Sequence, residues 1–536
     1  MNIVEQYDAN NTYYSLEVVA TKAVQGMRFE TVDNAIYKTK VDFGDGVTKN
    51  GTGVVGSSSS VGTSTKNYSE AYTGKIRISN NPKKVKKIVL DFGIDGSSAD
   101  PDFLNVKNVV LAPDILDHFN EAEYFYFSHY CYGSVNTALQ GKVTGEWSGI
   151  CGNNLKSLEL VNCDYPLSDP TFNMNLMPKD SVLEVLKLGS GYSVASSYVS
   201  VSGDLENIPS TCKVVYLGGD RPGTSNNVAG IIPNWVEEFS RIGRNTIYGN
   251  VSDFSPNLRY INVQGSNTLS GNLSNMPFLK YINISGNNTV GGNLNNILNV
   301  EQCILSGQNI VSGSIPNFPN CNYLSVSGNN SLSGSVPSIA SLTLMFAIHG
   351  NNTIEGALNL PNISLVSISG QNKIASLNLP KVTSVIISGQ NIISGDLSAQ
   401  INQSATNIQI TGQNLLSSVS NVFPDATTFI VTGKNLLTGN ILDKCPKATS
   451  IQIGGENTIT YTTRTFPSTM SVLEITGKAA LTQQMVDRLL SDLNRDVSIW
   501  NGSKKITIKG NSEPPSSDSL SARNSLVLKG VTISTN

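Results

Sequence analysis

The chain has 536 residues, more than one ordinary core holds, which predicts about two to four domains. Charged residues make up 14%, and 37 Lys and Arg against 40 Asp and Glu leave a formal net charge of −3, which argues against a nucleic-acid-binding polycation. The 60 Asn and 66 Ser favour turns over helix interiors, while 39% hydrophobic residues suffice for a core, so neither a mainly helical nor a wholly disordered chain is expected.

The N-terminus, Met1 to Asp8, has no basic stretch followed by an apolar one, so a cleaved secretory signal is not expected. No apolar run reaches the ~18 residues of a membrane span. Within residues 1–83, Val41-Asp42-Phe43-Gly44-Asp45-Gly46 precedes Tyr68, Tyr72 and Gly74-Lys75-Ile76-Arg77-Ile78, with a Ser/Gly-rich loop, Gly56 to Thr65, between them. This pattern resembles PKD-like β-sandwiches. Asp42 and Asp45 lack the ligand series of a calcium loop and read as turn formers.

Residues 84–235 carry degenerate strands, Val106-x-x-Val109-x-Leu111, Leu155-x-x-Leu158-x-Leu160 and Leu183-x-x-Leu186-x-Leu188. Their irregular spacing predicts solenoid coils with insertions, and inserted loops are where binding often sits. The densest aromatic cluster, Tyr124-Phe125-Tyr126-Phe127 with Tyr130 and Tyr132, falls here and is read first as core filling.

Residues 236–480 are periodic. A glycine followed two residues later by Asn recurs at intervals of 19 to 23 residues, from Gly265 through Gly286, Gly307, Gly328, Gly350, Gly370, Gly389, Gly412 and Gly433 to Gly455. Two and four residues before each glycine stand apolar residues, as at Ile284 and Ile282 or Val326 and Leu324, the alternation of a half-buried strand. An aliphatic follows four residues after, and often a second glycine two beyond it. One such unit cannot bury its apolar side alone, whereas stacked units can. The recurrent Asn is predicted to be buried and to satisfy backbone groups of the turn. The half-repeat Asn309-Ile310-Val311-Ser312-Gly313-Ser314-Ile315-Pro316, like Asn226 to Pro233, is similar to the L-x-G-x-I-P type of leucine-rich repeat. One extra residue between strand and Asn leaves a plain parallel β-helix open for these coils.

After Gly477 the spacing is lost. Leu481 to Leu493 predicts an amphipathic helix with stripe Met485, Val486, Leu489, Leu490 and Leu493, and with Thr482 as N-cap. A strand at 505–509, a second helix near 518–528 ending at Gly530, and a strand at 531–534 complete residues 481–536, expected to shield the end of the core. This terminal run resembles the last segment of leucine-rich-repeat proteins of phage tails and of the surfaces of gut anaerobes. The fold class expected is therefore mainly β: a right-handed leucine-rich-repeat-like β-solenoid, an N-terminal β-sandwich and a small α/β C-terminal cap.

The seven cysteines, Cys131, Cys151, Cys163, Cys212, Cys303, Cys321 and Cys445, are scattered and form no CxxC, which predicts reduced core residues. The three histidines, His118, His129 and His349, are far apart. No P-loop, G-x-S-x-G, H-E-x-x-H or helix-opening G-x-G-x-x-G occurs. No catalytic residue, metal ligand or cofactor is predicted. The strand positions facing away from the core are nearly uncharged, and Tyr260, Asn262, Tyr281, Asn283 and Tyr323 are the candidate ligand surface, with the tyrosines in one row. Aromatic faces beside amides suit a sugar or a protein contact. The resemblance implies a virion tail fibre or tail-associated receptor-binding protein. Its N-terminal region would hold other virion proteins, its solenoid a host surface glycan or protein, and a homo-oligomer is expected. A bacterial surface adhesin and a solenoid glycan depolymerase are the alternatives.

Overall fold

A computed structural model describes residues 123–125, 146–149, 151, 154–160, 171–189, 199–218, 227–243, 245–478, 481–498 and 504–536, and assigns backbone strands in further segments before residue 171. The side chains of Asp42, Asp45, Tyr126, Phe127, Tyr130, Tyr132, Cys131, Cys163, His118 and His129, residue 226, and residues 56–59 lie outside the described residues; from residue 60 the stretch expected as a Ser/Gly-rich loop is instead the strand Ser60–Tyr68. Two compact units are present: residues 1–270 with 283–287, and residues 271–282 with 288–536.

In the first unit, strands before residue 80 pair antiparallel: Asn11–Ala20 lies between Ile3–Asp8 and Tyr72–Ser79, and Val24–Asp33 pairs with Ser60–Tyr68. Val85–Asp91 pairs antiparallel with Val24–Asp33 on one side and in parallel with Tyr124–Ser128 on the other, and that ladder stays parallel through Ser157–Val161, Val185–Leu188, Val214–Leu217, Glu238–Ile242 and Tyr260–Gln264. Leu158, Leu186, Val215, Phe239 and Ile261 stack in register toward the inside, each fully or almost fully buried. Phe125 is buried against Trp147, ring centroids 5.6 Å apart, so this aromatic of the dense cluster is core, while Tyr124 is exposed.

The second unit stacks its coils in parallel, and most coils carry two strands rather than the single one that the repeat pattern suggests: one before the turn glycine, as in Tyr323–Gly328 and Met345–Ile348, and a second after it, as in Ser331–Ser335 and Thr353–Asn359, each pairing in parallel with its counterpart in the next coil. Leu324 pairs in parallel register with Cys303 on one side and Phe346 on the other. The column continues through Val366, Val385, Ile408, Phe429, Ile451, Leu473 and Ile506, every member at 0% exposure. Each such side chain contributes about 1.5–3 kcal/mol through burial. The stacking thus builds one continuous core from units that have none alone.

The turn explains the Gly-x-Asn signature. Gly370 has φ +128°, a conformation that a side chain disfavours, and a Cβ there would stand 2.6 Å from the carbonyl oxygen of Gly350 in the coil before. The Asn two residues on is buried at every coil from Asn309 to Asn457. Asn330 bridges coils: its Nδ2 donates to the His349 carbonyl at 3.2 Å, and its Oδ1 accepts the Val311 N–H at 3.2 Å. Asn435 repeats both bonds, to the Gly454 carbonyl and from the Leu416 N–H. One neutral side chain therefore satisfies a donor in the preceding coil and an acceptor in the following one.

A second signature was not read from the sequence. In several coils an Asn or Asp directly after a glycine caps a short 3₁₀ turn: Asn250 accepts the Ser252 N–H at 3.0 Å, Asn293 that of Asn295 at 2.9 Å, and Asp396 that of Ser398 at 2.9 Å. The cap turns Val251, Leu294 and Leu397 into the core.

The helices fall where the periodicity places them: α1 spans Gln483–Asp496 and α2 Leu520–Leu528. The Thr482 hydroxyl accepts the Met485 N–H at 3.4 Å as N-cap. Val486, Leu489, Leu490 and Leu493 are buried. Gly530, with φ +79°, follows α2. The ladder itself does not stop at Gly477. Lys505–Ile508 pairs in parallel with Val472–Ile475, and Thr532–Thr535 with Lys505–Ile508, so the last two coils keep the strand and return through a helix.

Candidate ligand face

Alternation sends every second strand residue outward. In the second unit, the first outward position runs Gln302, Tyr323, Met345, Leu365, Ser384, Asn407 in register, and the next Ile304, Ser325, Ala347, Ser367, Ile386, Gln409. Tyr323 is half-buried and its register neighbours are Gln302 and Met345. The expected unbroken row of tyrosines is therefore interrupted by Gln302, and Tyr323 instead begins a row Tyr323, Met345, Leu365. Beside it, His349 Nδ1 lies 2.9 Å from Ser369 Oγ and Nε2 3.3 Å from Ser367 Oγ. Burial lowers the pKa of this imidazole from its ordinary value, which favours the neutral ring at neutral pH.

Tyr281, also in the second unit, is half-buried. In the first unit, the Tyr260 ring meets Tyr216 edge-on at 5.7 Å. Asn262 and Asn283 are 4% and 9% exposed, so outward direction did not make them accessible. The Asn262 Oδ1 accepts from Gln264 Nε2 at 2.9 Å. Of the five predicted residues, the three tyrosines hold the larger accessible share.

Around Tyr260 the face is charged, which the sequence did not reveal. Lys187 Nζ pairs with Glu159 at 3.3 Å and lies 5.9 Å from the Tyr216 ring centroid. The Tyr216 hydroxyl donates to Glu238 at 2.5 Å, and Arg259 pairs with Glu237 at 3.4 Å. The irregular spacing before residue 236 hid which residues share this face; the register of the strands brings them together.

The described thiols are shielded from solvent. Cys151, Cys212, Cys303, Cys321 and Cys445 are buried and free. Burial pushes the pKa of Cys212 and Cys321 up to about 12 and that of Cys445 to about 11, which suppresses thiolate chemistry. Among the described residues, no group of three His, Cys, Asp or Glu is placed to hold a metal ion. An open depression of about 350 Å³ lies beside Asn378, Gln400 and Asn402, but Gln400 already accepts the Leu377 N–H and donates to the Ser394 carbonyl.

No protein-family model and no curated protein sequence matches the chain. Among solved structures, it is similar to a plant peptide hormone receptor, RGFR1, in complex with RGF2, at 16% identity and TM-score 0.50, covering 85% of this chain and 80% of that one. At this identity the likeness bears on fold alone and supports a leucine-rich-repeat-like solenoid over the plain β-helix left open by the sequence. A catalytic domain of GH87 alpha-1,3-glucanase in complex with nigerose aligns at 11% identity over 95% of this chain and 92% of that one, but its TM-score of 0.15 carries no argument.

Proposed function

We propose that this chain is a non-enzymatic binding protein whose ladder presents a macromolecular ligand with an uncharged face. One observation carries the reading. Over eight strands stacked in register, from Gln302–Gly313 to Ser450–Ile453, the first and third positions, which alternate with the buried column, bear no Asp, Glu, Lys or Arg. Such a face offers hydroxyls, amides, an aromatic ring and aliphatic surface. It offers no pair of carboxylates for glycoside hydrolysis, which favours an adhesin over a depolymerase. Binding should be nearly independent of salt.

The finer reading is a phage tail fibre or tail-associated protein in the virion, attached through a PKD-like N-terminal sandwich, with the fourfold division at residues 83, 235 and 480, a right-handed solenoid and a C-terminal cap. It rests on the sequence resemblances alone. Mass spectrometry of purified virions tests the location. Cell-binding assays with Tyr281→Ala and Tyr323→Ala test the face: the double variant should bind more weakly, and undiminished binding would move the site to the 84–235 coils.

A further inference from the structure

The residue directly after the turn glycine is an amide in six consecutive coils of the second unit: Gln308, Asn329, Asn351, Gln371, Gln390 and Gln413. All six are exposed. None of their side chains hydrogen-bonds to a described residue, unlike the buried Asn row beside them or the half-buried Asn299 and Asn362. Their backbones are fixed: the N–H groups of Gln308, Asn351, Gln371 and Gln413 donate to the carbonyl of the buried Asn of the preceding coil at 2.8–2.9 Å. Two residues earlier, on the other side of the glycine, a Ser or Thr stands in five of the six coils, with His349 in the sixth. The row ends where charge begins, at Lys434 and then Glu456, which pairs with Lys478 at 3.1 Å.

We propose that this row is a binding track for an extended, uncharged polysaccharide lying along the ladder axis, with about one sugar per coil. Each amide offers two donors and an acceptor, which matches the adjacent hydroxyls of a pyranose ring. A fixed backbone supplies the partners already placed, so little ordering cost falls on the protein. Spacing decides between a glycan and a peptide. Coils repeat every ~4.8 Å, whereas an extended peptide presents like groups every ~3.3 or ~6.7 Å and would drift out of register within two or three coils. A pyranose ring spans about the length of one coil. Uniform neutral partners also call for a uniform neutral ligand, where a peptide of varied side chains would call for varied ones.

The inference rests on the reading of this chain as a binding protein, but not on its tyrosines. The full chain is passed over insoluble cellulose, chitin, xylan and curdlan, and any polymer retained is followed by calorimetry with its own oligosaccharides, from disaccharide to hexasaccharide. At least one polymer should be retained, and still be retained in ~1 M salt, where screening acts over about 3 Å. Affinity should climb with oligosaccharide length. The triple variant Gln371→Ala, Gln390→Ala, Gln413→Ala should bind about tenfold more weakly with an unchanged unfolding midpoint. Failure to retain any of the four, affinity independent of length, or full binding by the triple variant would overturn the track. Loss of binding in Tyr323→Ala with the triple variant unaffected would also overturn it, while leaving the sheet-face reading in place.

Discussion

The regular coils of the second unit and its last two coils share one parallel ladder but satisfy their returning chain by different means. In the regular coils, a neutral Asn reaches into an adjacent coil, with both a donor and an acceptor satisfied at Asn330 and Asn435 and one of the two at Asn309, Asn352, Asn372, Asn391, Asn414 and Asn457. In the last two, helices replace the return segment and carboxylates take over. Asp492 accepts from the Tyr461 and Thr463 hydroxyls at 2.6 and 2.9 Å and pairs with Arg495 at 2.6 Å. Asp496 accepts the Phe466 N–H at 3.1 Å, and Asp487 accepts from Ser516 and Ser519. A carboxylate accepts several donors at once and so collects groups from a less regular loop. The difference teaches that a repeat can use a device matched to its own period, while a terminus needs one that tolerates irregular partners at the cost of sensitivity to pH.

The largest effect is expected where the repeat device is sterically blocked. Gly370→Ala places a Cβ against the Gly350 carbonyl and forces a side chain to φ +128°. A loss of about 3 kcal/mol or more is expected in denaturant unfolding. A change below ~1 kcal/mol would mean that the turns can shift apart. Next, Asn330→Ala strands the Val311 N–H in a buried site and should cost about 1–3 kcal/mol. Asn322→Ala is the control. The Asn322 side chain is half-buried and its Oδ1 is shielded without a partner. Its removal should be close to neutral, and equal losses at both positions would contradict the bridging role of the Asn row.

The carboxylates of α1 should give the last coils an acid sensitivity that the Asn row lacks. Burial alone would raise the Asp487 pKa, but hydrogen bonds from Ser516 and Ser519 outweigh it and hold the pKa below the ordinary value. At Asp496, the bond from Arg495 lowers it most, with the Phe466 N–H assisting against burial. A carboxylate with a lowered folded pKa contributes stability that is present above the unfolded value of about 3.9 and is lost as pH falls through the folded value. Helical circular dichroism should therefore fade below pH ~4 before the β signal does. The double variant Asp487→Asn, Asp496→Asn should be less stable at neutral pH and show a flatter acid limb. An unaltered limb would remove the carboxylates from this role.

What the sequence made legible follows the same division. The Gly-x-Asn turn was visible because the conformation of Gly370 and the burial of Asn372 each admit few residue types, so the pattern survives in every coil from Gly265 to Gly455. The helices were visible through their apolar spacing and the Thr482 cap. That the ladder continues beneath them was not, since the turn glycine after Gly477 is Gly510, and α1 lengthens the interval beyond the repeat. The candidate face was legible only in direction. Alternation places Asn262 and Asn283 outward, but their burial depends on neighbours such as Gln264 that pack over the strand, and the charges around Tyr216 come from coils whose spacing is irregular.

The smallest expected effect separates two adjacent residues. Asn372 is fully buried and accepts the Ile354 N–H at 3.2 Å, so Asn372→Ala should cost about 1–3 kcal/mol. Gln371 is exposed, with a backbone N–H that donates to the Asn352 carbonyl at 2.8 Å and a side chain bonded to nothing in the protein. Gln371→Ala keeps the backbone bond and should fall within about 0.5 kcal/mol of the parent. Stability thus does not account for an amide at this position. A midpoint shift in Gln371→Ala as large as that in Asn372→Ala would make the exposed row a structural ladder and remove the reason to seek a ligand for it. A shift confined to Asn372→Ala leaves recognition as the property for which six coils hold free amides in line.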